Sequence, residues 1–217
     1  APDGPHRAPR VKLFAVALLL PLAALGRKPP RGHQQAPALD PARWFATRPG
    51  LLRIYEGRAK SGDSELPRAG AFCEVLESRP RDSLAPGSMK ETCTMIVGRK
   101  ARPATQITYE LRKDGIWSVQ AKPEGGQAQD MQRMLLPGPL RVGSTWREPR
   151  GDAQLERTVR SAGGACKAAG RSFADCLVLS VTQRQGKKVV RRYTETYAAG
   201  VGLVEDAQWE LVDVKGL

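Results

Sequence analysis

The sequence predicts a mainly β protein of about ten antiparallel strands, built either as two similar half-repeats or as one strongly curved sheet. Three observations lead there. Apolar and polar residues alternate over short runs, glycine-bearing turn signals separate those runs, and no amphipathic helical pattern exceeds two turns. The chain has 217 residues with 41% hydrophobic content, enough for a packed core.

Residues 1–26 read as a targeting segment. Arg7, Arg10 and Lys12 precede an apolar run from Leu13 to Gly26 that contains Pro21. The run suits a signal peptide and is short of the ~20 residues a membrane-spanning helix needs. Ala24-Leu25-Gly26 offers small residues for cleavage after Gly26. Arg27, Lys28 and Arg31 follow directly, and positive charge there resists translocation. The expectation is export to the periplasm or the medium. The alternative is a short membrane anchor formed by residues 13–26.

Residues 27–47 are Pro-rich and polar at their start and read as a linker. Within them, "DPARWF" predicts one helical turn, with Asp40 as N-cap and Pro41 in first position. The β domain follows at 48–217. Its strands are expected near 51–58, 71–78, 91–98, 104–113, 116–121, 144–148, 154–161, 176–184, 188–197 and 202–214. In "TQITYELRK" Ile107, Tyr109 and Leu111 share one face. In "CLVLSVTQ" Leu177, Leu179 and Val181 do the same. "KDGI" at 113–116 and "RQGK" at 184–187 are hairpin signals.

An internal repeat links 48–122 with 141–215. "RPG" at 48–50 matches "RVG" at 141–143, and "AGAFC" at 69–73 matches "AGGAC" at 162–166. Each half holds two cysteines: Cys73 and Cys93, then Cys166 and Cys176. An even count in an exported chain predicts disulfides, here one within each half, worth roughly 2–4 kcal/mol apiece.

The only histidines, His6 and His33, precede the β domain. Ser-His-Asp and Cys-His mechanisms and His-based metal sites are thereby excluded from it. No C-x-x-C spacing occurs, so neither a metal nor a cofactor is expected. Carboxylate pairs remain, with Glu195, Glu205 and Asp206 as candidates for a hydrolase, although neighbours on a regular strand face opposite ways.

"YAAGVGLVED" at 197–206 raises the question of a phosphate loop. It lacks the third glycine of G-x-G-x-x-G, and strand patterns flank it on both sides. Gly200 and Gly202, with Gly143 before the second half, are therefore read as structural bends that use glycine's backbone freedom.

Net charge is +13, with 24 Arg against 11 Lys. The basic clusters at 98–102 and 186–192 lie at turns and lack interleaved aromatics, so nucleic-acid binding is not expected. Charge at strand edges discourages sheet-to-sheet association. A lipid or another anionic envelope component is the expected partner class.

"PLRVGSTWRE" at 139–148, "AAGRSFADCLVLSV" at 168–181 and "YTETYAAGVGLVED" at 193–206 share their order and spacing with a known signature. Over this third of the chain it resembles a group of uncharacterised exported bacterial β-rich proteins with a PLxVGxxW … AGxFxxC … YAxGVGLV pattern. Tyr197, Gly200 and Gly202 map onto that pattern, while Ala199 stands where Pro is common. The resemblance implies a curved, half-barrel-like antiparallel sheet outside the cytoplasm. With it, the expected function is a non-enzymatic binding or carrier module. A scaffold domain and a carboxylate-based hydrolase are the alternatives.

Thiol titration of the unfolded protein is expected to find no free thiol before reduction and four after it. Four reactive thiols before reduction contradict the disulfide assignment.

Overall fold

The computed structural model describes residues 38–58, 69–82 and 85–217. The expected leader at 1–26, His33 and most of the expected linker lie outside these residues. The strands follow one another as antiparallel neighbours, which the local turn signals favour. The first group comprises β1 (Leu52–Gly57), β2 (Ala69–Arg79), β3 (Gly87–Val97), the short β4 (Lys100–Ala101), β5 (Thr105–Arg112), β6 (Gly115–Pro123) and β7 (Gln129–Pro137). The second comprises β8 (Thr145–Arg150), β9 (Ala153–Ala168), β10 (Arg171–Gln185), β11 (Lys188–Ala198), β12 (Gly202–Glu205) and β13 (Trp209–Lys215).

Each group is a meander, β1-β2-β3-β5-β6-β7 and β8 through β13, with β4 paired to the end of β3. β13 pairs antiparallel with β1 and joins both into one 13-stranded sheet. The edges are β7 and β8. Arg133 of β7 donates from Nε to Glu148 Oε1 of β8 at 2.8 Å, so the sheet nearly closes into a barrel. Register shifts in seven of the antiparallel pairs supply the bending that such closure needs.

Inward and outward residues alternate as the periodicity predicts. Leu177, Leu179 and Val181 are buried on β10, as are Tyr109 and Leu111 on β5. The turns that open the two meanders are alike. Gly50 N–H donates to Val75 O and Gly143 N–H to Val159 O, at 2.8 and 2.9 Å, and both glycines have positive φ, +79° and +87°. The cysteines do not follow this correspondence. Cys73 lies opposite Arg53 on β1, whereas Arg157, not Cys166, lies opposite Trp146 on β8. The disulfides are Cys73–Cys93, which ties β2 to β3, and Cys166–Cys176, which ties β9 to β10 beside a register shift.

Three features depart from the sequence reading. β7 was not expected, because "QDMQRMLLP" does not alternate, and Gln132 interrupts it with a φ of +46°. The single strand expected at 202–214 is broken by a turn at Asp206, whose Oδ1 accepts from the N–H groups of Gln208 and Trp209. The end of the expected linker is core. Pro41–Trp44 form a 3-10 turn capped by Asp40, and Trp44, Phe45 and Ala46 are buried.

That turn packs across the interior of the sheet. Trp44 Nε1 donates to Asp175 Oδ1 at 3.2 Å, Arg43 pairs with the same carboxylate, and Gly200 N–H donates to Arg43 O at 2.9 Å. Gly200 and Gly202, with φ of +69° and +91°, thus form the β11–β12 turn against the buried N-terminal segment. A Cβ on Gly200 meets nothing within 4 Å, whereas one on Gly202 meets Arg53 Nη1 at 2.9 Å and Ala46 at 3.4 Å.

Gly200→Ala is expected to cost about 1 kcal/mol from the positive φ alone, and Gly202→Ala clearly more, because it also displaces a buried guanidinium. Urea unfolding measures both; equal costs rule out the Arg53 contact as the cause.

Candidate functional site

A cavity of about 480 Å³ opens inside the curved sheet. Its wall is mixed. Phe45, Leu135, Leu203 and Trp209 provide apolar surface together with the Cys73–Cys93 disulfide, and all four tyrosines of the chain face it.

Two buried ion-pair networks form the polar part of the wall. In the first, Arg53 on β1 donates to Glu91 on β3, and Tyr109 O–H donates to Glu91 Oε1 at 2.5 Å. Arg53 reaches past β2, where the residue opposite it is Cys73. In the second, Arg157 on β9 reaches past β10 to Glu195 on β11. It makes a two-pronged contact, Nε to Oε2 at 2.9 Å and Nη2 to Oε1 at 3.0 Å. Arg157 Nη1 also donates to Glu148, and Tyr197 O–H to Glu195 Oε2 at 3.2 Å. Two strand spacings are ~10 Å, a span matched by an extended arginine meeting a glutamate.

Burial is nearly complete for these groups. Arg53 and Arg157 are each 7% exposed, Glu91 5%, Glu195 4% and Glu148 3%. Removing one partner of such a pair strands a charge at a cost of about 3–5 kcal/mol. These carboxylates are committed to arginine and tyrosine donors.

The tyrosines respond to the same surroundings. Burial is the main cause that pushes the Tyr55 phenol up to about 12, with Arg53 opposing it. Burial and the neighbouring carboxylates Glu91 and Glu195 hold Tyr109 and Tyr197 well above the usual range. Tyr55 O–H donates to Leu203 O at 2.8 Å, which satisfies the hydroxyl.

Of the three carboxylates singled out in the sequence, Glu195 and Asp206 both line the cavity and Glu205 does not. Glu195 is locked to Arg157, and Glu205 pairs with Arg58 at 2.6 Å on the surface. Asp206 lines the cavity but stabilises its own turn. The cysteines Cys73 and Cys93 line the cavity, while Cys166, Cys176, Gly143, Gly200 and Gly202 lie away from its wall. Cys73, Cys93 and Glu91 place their sulfur and oxygen atoms within 4.8 Å of one another. The sulfurs are bonded to each other, which removes the thiolates a soft metal requires.

Sequence reading missed Arg53, Glu91 and Arg157. The signal was present: each charge sits mid-way in an inward triplet, as in Leu51-x-Arg53-x-Tyr55, Met89-x-Glu91-x-Cys93 and Leu155-x-Arg157-x-Val159.

With this geometry in hand, known proteins offer few parallels. No family model matches the chain, and no curated protein matches it. A solved structure from Bacteroides fragilis, described as a "putative exported protein with YmcC-like fold", is similar with a TM-score of 0.49 and 11% identity. The match covers 79% of this chain and 98% of that one.

The raised phenols make a pH prediction. An unfolded tyrosine ionises near 10, and the folded protein keeps Tyr55 protonated to about 12. The folded state thus holds more protons in between, and its stability falls as pH rises. The contribution is intact below pH 10 and is lost as pH climbs through 12. Phenolate absorbance is expected to rise late and together with unfolding; reversible ionisation of all four tyrosines near pH 10 in folded protein contradicts the buried network.

Proposed function

We propose that the chain is an exported, extracytoplasmic binding or carrier module that holds a small lipid-like ligand inside its curved sheet. The cavity carries this reading. Its volume falls within the ~300–1,000 Å³ typical of small-molecule sites, and its wall combines apolar and aromatic side chains with polar groups held in ion-pair networks. The networks along its wall hold it rigid before any ligand enters, which lowers the ordering cost of binding.

Two further observations support the reading. Both disulfides fit an oxidising compartment. The buried glutamates have their oxygens occupied by arginine and tyrosine donors, which favours a wall over an acid–base pair.

Fluorescence of the neutral probe N-phenyl-1-naphthylamine is expected to rise on binding to the folded protein, with micromolar affinity. Leu203→Trp fills part of the cavity and is expected to weaken binding at least tenfold, about 1.4 kcal/mol, with the circular dichroism unchanged. Probe binding that persists unaltered in this folded variant places the probe elsewhere and counts against the proposal.

A further inference from the structure

Deep in the cavity wall the charges are paired. Arg53 faces Glu91, and Arg157 faces Glu195. At the exposed end they are not. Arg150, the last residue of β8, and Arg191 of β11 both line the cavity, and among the described residues neither has a carboxylate partner. The carboxylate at this end, Asp206, has its Oδ1 occupied by the N–H groups of Gln208 and Trp209, at 2.6 and 2.7 Å.

Arg191 is nevertheless held in place. Its Nη2 donates to Ala207 O at 2.8 Å, and its guanidinium lies over the Tyr193 ring, 5.4 Å from the centroid. Gln183 stands directly opposite it on β10 and lines the same cavity. Strand register aligns Arg191 with Glu148 through Gln183 and Leu155, and Arg150 is the next residue on the same face of β8 beyond Glu148. Both arginines therefore line the same part of a mixed apolar and polar cavity, with Arg191 stacked on Tyr193. A guanidinium anchored through one nitrogen keeps further N–H donors, and its planar fork suits carboxylate and phosphate oxygens.

We infer that the ligand of this cavity is an anionic amphiphile: a compact carboxylate or phosphate monoester sits at the mouth between Arg150 and Arg191, and a single apolar chain extends inward. This rests on the ligand-binding reading above. Two guanidiniums against one carboxylate, whose Oδ1 is already engaged, leave net positive charge that disfavours a cationic head and gives an anionic head a charge-assisted bond that a neutral head lacks.

Displacement of N-phenyl-1-naphthylamine by four twelve-carbon competitors tests it: dodecanoate, dodecyl phosphate, dodecanol and dodecyltrimethylammonium. The wild-type protein is expected to prefer both anions over dodecanol by about tenfold, with the preference shrinking as salt is added. Arg150→Gln combined with Arg191→Gln is expected to retain probe binding and to bring that ratio near one. The two single variants give the intermediate ratio if the double variant does not fold. The order of dodecanoate and dodecyl phosphate tells which anionic head the site takes. Equal binding of dodecanol and the anions, a preference for the ammonium, or a preference that survives in the folded double variant overturns the inference and leaves the cavity reading intact. Failure of the probe and of every competitor to bind overturns both.

Discussion

Arg53 and Arg157 lose their hydration on folding and remain charged, because each finds a glutamate two strands away on the same inner face. Burying an ion costs several kcal/mol, and only good geometry with additional hydrogen bonds offsets that cost. Tyr109 and Tyr197 supply those additional bonds from neighbouring inward positions. The requirement fixes register. A slip of one residue on β1 or β9 sends the arginine outward and leaves its glutamate buried alone. The same constraint closes the sheet. Glu148 on the edge strand β8 accepts from Arg157 on its neighbour and from Arg133 on the opposite edge, β7. Two edges that otherwise present unpaired backbone to other chains are thereby drawn together.

The direction of these networks leaves room for the cavity. Each arginine runs sideways along the wall, from strand to strand, instead of across the interior toward the facing strands. Small side chains, Ala71 and the Cys73–Cys93 pair, occupy part of the wall near the first network. The N-terminal turn at Pro41–Trp44 fills part of the core with Trp44 and brings Phe45 to the cavity, where it meets Tyr109 edge to face at 5.0 Å. The buried glutamates along the remaining space already have their oxygens engaged by arginine and tyrosine. A wall of that kind presents apolar and aromatic surface to a ligand without having to reorganise.

Much of the strand architecture was legible in the sequence, for a local reason. Period-2 alternation marks β5 and β10, and turn residues such as Asp114-Gly115 and Gln185-Gly186 mark the hairpins between strands. Where the signal is local, the structure follows it closely. Where it is broken, as at the irregular "QDMQRMLLP" of β7 or the Asp206 turn inside an otherwise continuous apolar pattern, the strand boundaries were hidden. The segment before Gly50 misled by its composition. Its prolines and polar residues resemble a linker, yet Trp44 is fully buried, because a partner for it exists only once β10 and the β11–β12 turn have come together.

The sequence by itself determined the class of the fold, the even set of cysteines, the absence of histidine from the β domain and the bend at Gly200 and Gly202, since all of these depend on residue type or on near neighbours. It also contained inward arginines and glutamates, visible as charges within alternating apolar triplets. Only the tertiary structure decided which charge meets which. Arg53 and Glu91 lie 38 residues apart, as do Arg157 and Glu195. Pairing at that distance depends on strand order and on how far the sheet curls, and neither quantity is carried by any short stretch of the chain. The cavity follows from the same cause: it is the space that remains when a sheet of this length bends until β7 meets β8.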